Sequence, residues 1–497
     1  MGLKDCKVSC ARRGKIMKEK NLVIIMADQL RFDAFGKHTP NINRLNNEGV
    51  SFTNAYCASP LCVPARGAFF TGKYPNVTGS IINPWEQLDS QHGNVRAGNE
   101  NLYTMLENKW DSWHAGKQHL YTEEKLDKSE NTKTHWNILP DDYKVFLKKM
   151  DKRAPGGPEY QSLVPEMALG RVTRAKKYSI PKIGCYEEDF DYFYDGYIAN
   201  AALDAIEKRD KSKPFLLNVM FLAPHPPFEI PEPWYSSITS VDLPDNVGRW
   251  YKDQSPLQLY NLTGAIGSTY RRSDWEDVWK VYLGLVSLLD HCVGMIIDKL
   301  KEQQIYDDTM IIFTSDHGEM LGSHCLWQKM CMYQEAVKTP LIIKFPKDFT
   351  PKINTIDEHV SAIDVLPTVC EYMEISKPEN LSGLSLMPLI EGGAIDRDSI
   401  FIQFDGNGAR GNFSRCVLNK EYKLIVDMFK DEIFFELYNI YDDPQEKNNL
   451  AFENEYRSTV RSMLTQLRVH MAVTEDLLQI PPDAYGIFLD LYSQFRS

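Results

Sequence analysis

The sequence lacks the features that mark a membrane protein, a secreted protein or a disulfide scaffold. No apolar run approaches the ~20 residues that a bilayer-spanning helix needs. The ten cysteines are scattered and never form a Cys-x-x-Cys pair, which predicts free thiols in a reducing compartment. No apolar stretch follows the basic N-terminus to make a signal peptide. These absences predict a soluble cytoplasmic protein in which residues 1–20 form a disordered leader.

Positive charge is also scarce. The chain has 56 lysines and arginines against 68 aspartates and glutamates, which gives a net charge of −12. An acidic surface repels nucleic acid, and no basic stripe with interleaved aromatic residues offsets this repulsion. Nucleic acid is therefore excluded as a partner class. What the chain does have is 497 residues, 43% of them hydrophobic, which is enough for a large buried core.

Three short and almost continuous apolar runs indicate strands that are buried on both faces of a parallel sheet. They are Asn21–Ala27, Pro214–Ala223 and Met310–Ser315. Helical periodicity is clearest in Trp275–Gln303, where apolar residues recur at steps of three and four. Apolar strands that alternate with helices predict the α/β fold class, with a large, doubly wound, mostly parallel sheet flanked by helices.

The pattern changes after about residue 390. Three segments separated by polar or glycine-containing turns indicate a small antiparallel sheet. They are Ile400–Phe404, Cys416–Asp427 and Ile433–Tyr441. Helical spacing returns in Glu453–Met471. We therefore predict a main domain over residues 21–390 and a smaller C-terminal domain over residues 391–497, built on an antiparallel sheet plus a helix.

Reactive side chains come close behind each of the three apolar runs. Asp28 follows the first run, His225 the second, and Asp316 with His317 the third. In open α/β sheets, ligands bind outside the carboxyl ends of the strands. We therefore expect these four side chains to meet at one edge of the sheet.

The most specific segment of the chain is Ser59–Gly67, which contains the pattern Cys62-x-Pro64-x-Arg66. Proline suits the first turn of a helix, where its missing N–H is no loss. Cys62 is therefore expected just before a helix N-terminus, where the positive end of the helix dipole and Arg66 favour an anion. Taken alone, the segment fits an inert buried cysteine equally well.

This segment resembles the signature of the sulfatase family, in which the cysteine of Cys-x-Pro-x-Arg is oxidised to formylglycine. Other segments resemble family motifs in the family's order and extend the resemblance over residues 21–473. They are Ala27-Asp28-Gln29, Gly116–Leu120, Pro224–Phe228, Thr314–Glu319, Trp327–Met330 and the tail from Glu436 to Leu450. The resemblance implies an alkaline-phosphatase-like fold and the hydrolysis of a sulfate ester with release of inorganic sulfate.

The resemblance also implies a role for each motif residue. Cys62 would be oxidised by a formylglycine-generating maturation enzyme, and one hydroxyl of the resulting aldehyde hydrate would attack sulfur. Arg66 would orient this hydrate and help to ionise it. Lys117 and Lys329 would bind the substrate through its sulfate oxygens, where charge develops in the transition state.

Proton transfer and further substrate contacts are assigned in the same way. His225 would bind the substrate and donate a proton to the leaving oxygen. His119 would contact the hydrate and accept its proton during sulfate release. Asn83 follows Cys62 at about the distance at which related enzymes place a substrate-binding asparagine.

A divalent metal is implied as well. Asp28, Asp316 and His317 would be ligands together with the modified Cys62, and Gln29 would be either an amide-oxygen ligand or a hydrogen-bonding neighbour of the ligands. Carboxylate and amide oxygens suit Ca²⁺ or Mg²⁺, whereas an imidazole nitrogen favours Mn²⁺. We expect Ca²⁺, with Mn²⁺ and Mg²⁺ as alternatives.

Two other functions stay open at this point. A phosphonate monoester or phosphodiester hydrolase could use the same fold, because sulfate monoesters and phosphate diesters are both tetrahedral monoanions. A non-catalytic binding protein is the other alternative, although the intact Cys62, Arg66 and metal set argue against it. Family prevalence favours a carbohydrate sulfate, as a small molecule or an oligosaccharide, over aryl and choline sulfates. The turn Asp405–Asn412 is either a plain hairpin loop or a wall of the substrate pocket.

Overall fold

The computed structural model describes residues 20–84, 90–168, 171–407 and 411–493. Apart from Lys20, the predicted leader lies outside the described residues. The described cysteines are free thiols, and the cytoplasmic location stays a prediction.

The strands fall into one large sheet, one small sheet and two short pairs. In chain order they are β1 Asn21–Asp28, β2 Val50–Tyr56, β3 Asp111–Lys117, β4 His135–Leu139, β5 Gln161–Ala168, β6 Arg171–Ser179, β7 Ile183–Tyr186, β8 Phe215–Pro224, β9 Phe228–Pro231, β10 Thr309–Ser315, β11 Lys338–Lys344, β12 Thr355–Ser361, β13 Ile400–Phe404, β14 Asn412–Leu418, β15 Tyr422–Phe429 and β16 Glu432–Asn439.

The helices vary from single turns to one helix of 31 residues. In chain order they are α1 Pro40–Glu48, α2 Cys62–Thr71, α3 Pro75–Thr78, α4 Ser90–Gly93, α5 Leu102–Leu106, α6 Asp141–Met150, α7 Tyr194–Lys208, α8 Trp234–Ser237, α9 Leu262–Gly267, α10 Arg272–Glu302, α11 Gln334–Val337, α12 Val365–Tyr372, α13 Met387–Ile390, α14 Arg457–Val473 and α15 Ala484–Tyr492.

The large sheet has eight strands in the order β12-β2-β11-β10-β1-β8-β3-β4. Only β11 runs against the others, because it pairs antiparallel with both β10 and β2, whereas the remaining pairs are parallel. In the central strand β1, Val23 and Ile25 enter one hydrophobic core while Leu22 and Ile24 enter another. Both faces are thus covered, and the predicted α/β fold class is confirmed.

Helix α10 is the main helix on one face of this sheet. By length and composition it could cross a membrane, but 78% of its apolar stretch is buried inside the protein. A helix in the core of a globular domain can have the same length and apolar composition, because it is buried among other apolar residues. The helix predicted over Trp275–Gln303 agrees with α10 to within a few residues.

The small sheet is an antiparallel meander in the order β13-β14-β15-β16. Cys416–Asp427, which the sequence predicts as one strand, is instead divided between β14 and β15. The correction has a local cause, because the Asn419 side chain accepts hydrogen bonds from the backbone N–H groups of Glu421 and Tyr422 and closes a turn there. The helix predicted after this sheet is α14.

The two sheets share a hydrophobic core. Ile400 and Ile402 on one face of the small sheet belong to the same cluster of buried residues as Val23 of the large sheet. The opposite face packs on the C-terminal helices, where Val417 and Leu464 belong to one cluster. The domain boundary near residue 390 stays a prediction, since this core is continuous across it.

Candidate active site

The strands that carry the motif residues end at one edge of the large sheet. Asp28 is the last residue of β1 and Lys117 the last residue of β3, while Asp316 follows β10 directly. His225 follows β8, which runs parallel to both β1 and β3. Cys62 is the first residue of α2, which comes shortly after β2. The parallel direction of these strands is what brings their side chains together.

Two motif glycines permit close approaches at this edge. A Cβ atom on Gly116 would lie 2.1 Å from the backbone oxygen of Met220 in β8, and Gly116 has a φ of +110°. A Cβ atom on Gly318 would lie 1.9 Å from the backbone oxygen of Glu335. Only glycine fits these positions, and each one adjoins a predicted site residue, Lys117 or His317.

Arg66 joins the two central carboxylates. Its Nη2 lies 3.0 Å from Asp28 Oδ2, and its Nε lies 3.0 Å from Asp316 Oδ2. Its Nη1 donates to the backbone oxygen of Lys117 at 2.7 Å. All three charged side chains are fully buried, and buried charges are tolerated when they are paired and hydrogen-bonded in this way.

Lys117 adds a second cation at the same carboxylate oxygen of Asp28. Its Nζ lies 2.5 Å from Asp28 Oδ2. Burial raises the pKa of Asp28, but Lys117, followed by His225, Arg66 and Lys329, holds it well below the usual range. Asp28 is therefore ionised at neutral pH despite its burial.

The Cys62 thiol lies among these charges and is 2% exposed. Its Sγ is 3.2 Å from His317 Nε2 and 3.9 Å from both Asp28 Oδ1 and Lys117 Nζ. Burial and the Asp28 carboxylate oppose ionisation, but Lys117, Lys329 and His317 outweigh them and lower the pKa of Cys62. The site thus favours an anionic atom at this position.

Four side chains offer ligand atoms to one metal ion. Atoms of Asp28, Cys62, Asp316 and His317 all lie within 4.8 Å of one another, and all four residues are buried. His317 Nδ1 lies 3.0 Å from the backbone oxygen of Gly318. This contact fits a proton on Nδ1, and in that tautomer Nε2 would be the electron-pair donor toward a bound cation. Two carboxylates and one imidazole fit a divalent cation.

Gln29 lies beside the cluster as a bridge between two other groups. Its Oε1 accepts a hydrogen bond from Lys329 Nζ at 2.5 Å, and its Nε2 donates to the Glu319 carboxylate. Its backbone N–H donates to Asp316 Oδ1 at 3.1 Å. The ligand role of Gln29 stays a prediction, because its oxygen is bonded to Lys329 in this arrangement.

The sequence alone assigns no role to Glu319, although this residue ends the motif Thr314–Glu319. Its Oε1 accepts hydrogen bonds from the backbone N–H groups of Leu321 and Gln328, and both atoms of this carboxylate are buried. Glu319 therefore fixes both the Gln29 amide and the segment that carries Lys329. The position of this glutamate in a motif was the signal that could have found it.

Lys117 influences both of the predicted histidines. Burial, followed by Lys117 and Arg66, lowers the pKa of His119 well below its usual value. Burial, followed by Lys117 and Lys329, does the same to His225. His225 Nδ1 lies 2.5 Å from the backbone oxygen of Pro226. Both imidazoles are thus neutral before a ligand binds.

Asn83 has a structural contact that the sequence did not predict. Its Oδ1 accepts a hydrogen bond from the backbone N–H of Val63 at 3.1 Å, in the first turn of α2. This bond holds the helix end that carries Cys62, and the role of Asn83 in substrate binding stays a prediction. From the small sheet, Asn407 Nδ2 lies 3.7 Å from Met330 Sδ, so the described part of the 405–412 turn lies next to the Lys329 segment.

Comparison with known proteins identifies the family of the chain. The sequence profile of the sulfatase family matches residues 20–375. The profile described as N-sulphoglucosamine sulphohydrolase, C-terminal, matches residues 322–472. An arylsulfatase from Clostridium perfringens is 26% identical over 465 residues, which cover 88% of this chain and 92% of that protein.

Solved structures show the same fold. The phosphonate monoester hydrolase of Agrobacterium radiobacter superposes with a TM-score of 0.74 at 23% identity, over 92% of this chain and 96% of that chain. A protein in complex with its substrate D-glucosamine-2-N,6-O-disulfate superposes with a TM-score of 0.71 at 21% identity, over 93% and 99% of the two chains. At these identities the two structures support the fold alone, whereas the profile match extends over most of the chain. The chain belongs to the sulfatase family and is a sulfuric ester hydrolase.

Proposed function

We propose that this sulfatase hydrolyses a carbohydrate sulfate, with Cys62 oxidised to formylglycine and a divalent cation bound beside it. The observation that carries the proposal is the buried convergence of Asp28, Cys62, Asp316 and His317. A carbohydrate substrate is supported by the similar structure that holds D-glucosamine-2-N,6-O-disulfate. A formylglycine-generating enzyme is then a required partner during maturation.

Formylglycine supplies a geminal-diol nucleophile, and the cation supplies a Lewis acid for a sulfate oxygen. Asp28, Asp316 and His317 would hold the cation. Arg66 positions both carboxylates, since it contacts each of them at 3.0 Å. Asn83 holds the first turn of α2 and thereby the side chain at position 62.

Lys117 and Lys329 would bind the sulfate oxygens. They approach the cluster from different elements, Lys117 from the end of β3 and Lys329 through its bond to Gln29. Ammonium groups that are fixed before the reaction stabilise negative charge as it develops on the sulfuryl oxygens. Because both lysines are almost fully buried, little solvent screens this interaction.

His225 would donate a proton to the leaving oxygen. Burial, followed by Lys117 and Lys329, holds the pKa of His225 low in the free protein. A bound sulfate ester carries a negative charge that offsets these two ammonium groups, so the pKa of His225 rises when substrate binds. His119, which is also neutral, would accept the proton from the diol at position 62 during sulfate release.

The metal that we propose is Ca²⁺. Two carboxylates suit Ca²⁺ and leave Mg²⁺ as an alternative, and the His317 imidazole makes Mn²⁺ the other alternative. The test is to remove metal with a chelator, add back each ion separately, and measure both bound metal and sulfate release. If Mn²⁺ restores sulfate release and Ca²⁺ does not, Mn²⁺ is the metal and the assignment of Ca²⁺ is wrong.

A phosphonate monoester or phosphodiester hydrolase is the second candidate. It is favoured by the superposition on the phosphonate monoester hydrolase and by the imidazole in the ligand set. The ratio of kcat/KM for 4-nitrophenyl sulfate and bis(4-nitrophenyl) phosphate separates the two functions. We expect the sulfate ester to be the better substrate.

The main test joins the modification to the activity. Protein is prepared with and without a co-expressed formylglycine-generating enzyme, and the peptide that contains Cys62 is analysed by mass spectrometry. We expect sulfate release from D-glucosamine-2-N,6-O-disulfate only where the peptide carries the aldehyde, with Cys62→Ala as the inactive control. Full activity with unmodified Cys62 would refute the formylglycine mechanism. Activity on aryl sulfates alone would refute the carbohydrate substrate.

A further inference from the structure

Strand β8 bulges immediately before it reaches His225. Its pairing with β1 places Met26 opposite Met220 and Asp28 opposite Pro224, so three residues of β8 face a single residue of β1 between these pairs. Its pairing with β3 on the other side also ends at Met220. Such bulges re-aim the side chains that follow them. Here the bulge changes the direction of the chain where His225 follows.

The bulge leaves backbone N–H groups without their ladder acceptors, and Asp195 replaces those acceptors. Asp195 Oδ1 accepts hydrogen bonds from the backbone N–H groups of Leu222 at 2.8 Å and of Ala223 at 3.0 Å. The next residue, Pro224, has no N–H to donate. The backbone N–H of His225 donates to the Leu222 oxygen at 2.9 Å. A continuous path of hydrogen bonds therefore runs from Asp195 through Leu222 to His225.

Asp195 is itself held firmly. It is 1% exposed and lies in the first turn of α7, where the helix dipole favours a carboxylate. Its backbone oxygen accepts a hydrogen bond from Cys292 Sγ of α10 at 3.7 Å. Two helices thus fix the position of the carboxylate against the end of β8.

We propose that Asp195 is a positioning residue, which fixes the β8 bulge and thereby the place of the His225 imidazole above the leaving oxygen. The proposal rests on the role of His225 given above. Asp195 acts through backbone groups and touches neither the substrate nor the metal cluster.

Asparagine is a close substitute for this carboxyl. The bulge requires one oxygen that accepts two N–H groups, and an amide oxygen does this as well as a carboxylate oxygen. Burial raises the pKa of Asp195 to about 7, against the effect of its bonds from Ala223 and Leu222. A neutral side chain is therefore compatible with the site, whereas alanine removes the acceptor.

The test compares leaving groups. The kcat/KM values for 4-nitrophenyl sulfate and phenyl sulfate are measured in the wild type and in Asp195→Ala, Asp195→Asn and His225→Ala. We expect Asp195→Ala to lose about 10- to 100-fold more activity on phenyl sulfate, whose poorer leaving group needs a well-placed proton donor. Asp195→Asn should keep most of the wild-type activity on phenyl sulfate. Adding Asp195→Ala to His225→Ala should cause no further loss on phenyl sulfate relative to 4-nitrophenyl sulfate.

Asp290 provides the matched control. It is 2% exposed in α10, and its carboxylate accepts hydrogen bonds from the backbone N–H groups of Ile42 at 2.8 Å and of Asn41 at 3.1 Å. Asp290 therefore accepts two backbone N–H groups at the start of α1, as Asp195 does at the end of β8, but away from the site. Asp290→Ala should reduce thermal stability and leave the ratio of the two kcat/KM values unchanged.

Two outcomes would overturn the positioning role. If His225→Ala loses activity selectively on phenyl sulfate but Asp195→Ala does not, the role of Asp195 is wrong and that of His225 stands. If neither variant is selective, both roles are wrong. Should Asp195→Ala fail to fold, Asp195→Ser is used instead, because its shorter hydroxyl cannot reach both N–H groups. The same selectivity is then required.

Discussion

The molecule buries two arginines that each pair with two aspartates, Arg66 at the edge of the large sheet and Arg415 in the small sheet. Arg415 Nε and Nη2 contact Asp476 at 2.6 and 2.9 Å, and Nη2 also contacts Asp405 at 2.6 Å. Its Nη1 donates to two backbone carbonyls. Every nitrogen of this guanidinium therefore donates to a protein acceptor. Through these bonds the cluster connects β14 to the segment after α14.

The Arg66 cluster differs in what its carboxylates do with their second oxygen. Asp28 and Asp316 each give Oδ2 to Arg66. Their Oδ1 atoms face the cluster instead. That of Asp28 lies 3.9 Å from Cys62 Sγ. That of Asp316 accepts hydrogen bonds from the backbone N–H groups of Gln29 and His317 and lies 3.7 Å from His317 Nε2. The ion pairs of Arg415 thus stabilise the core of the small sheet, whereas those of Arg66 hold carboxylates whose other oxygens converge on the candidate metal site.

Removing a carboxylate from the Arg66 cluster tests this difference most strongly. Asp316→Ala should lower kcat/KM by about 10³-fold or more, because a hard cation then lacks a charged oxygen ligand and Arg66 loses a partner. Metal content and activity are measured on the same preparation, with circular dichroism to show that the fold is kept. Wild-type metal content and rate would contradict the assigned ligand role.

His225 and Lys329, which would both face the substrate, should respond differently to a change of its leaving group. His225→Ala should cost about 10²–10⁴-fold in kcat/KM on a sugar sulfate and much less on 4-nitrophenyl sulfate, since nitrophenolate leaves without a proton. Lys329→Ala acts on the sulfuryl oxygens and should reduce both values similarly, by about 10²-fold. Equal losses on both substrates for His225→Ala would assign His225 to sulfate binding and make His119 the next candidate for the acid.

Removing the arginine of the small sheet should affect stability instead of chemistry. Arg415→Ala leaves Asp405 and Asp476 buried without their partner, which should reduce the free energy of unfolding by about 3–5 kcal/mol. Denaturant titration measures this loss, and metal content per folded molecule should not change. Loss of metal at full stability would show that the two clusters are not independent.

The smallest expected effect concerns Glu436, a buried carboxyl in β16 of the small sheet. Burial, with Asp427 adding to it, raises the pKa of Glu436 to about 8. The folded state then binds a proton more tightly than the unfolded state, so the stabilisation is complete below about pH 4 and is lost as the pH rises through 8. In Glu436→Gln, the change in the free energy of unfolding between pH 4 and pH 8 should be smaller than in the wild type by about 1–3 kcal/mol. Identical pH profiles of unfolding for the variant and the wild type would contradict the shift.

The sequence predicts those parts of the fold that local pattern determines. Asn21–Ala27 and Trp275–Gln303 correspond to β1 and α10 within a few residues, because apolar periodicity over such lengths has one interpretation. Cys416–Asp427 failed as a single strand because one asparagine side chain sets the turn inside it. Periodicity does not register such a hydrogen bond.

At the site, the motifs predict which residue types come together but not how each atom is used. Gln29 and Asn83 show the limit, since their oxygens accept hydrogen bonds from Lys329 and Val63, groups that the sequence does not place near them. Asp195 was missed for a related reason. Its function depends on a bulge in β8, which exists only once three strands have paired.

The burial of Cys62 has a consequence for the order of events during protein synthesis. Every residue of α2 is buried, and Phe401 of the small sheet, whose last strand ends at Asn439, packs against the cluster that contains Ala68 of this helix. The proposed oxidation of Cys62 would therefore have to take place before the chain has folded around it. At roughly 5–20 residues per second of translation, the interval between the emergence of these two parts lasts on the order of 20–80 s. In the proposed maturation, the oxidation of Cys62 therefore competes in time with the folding of the chain.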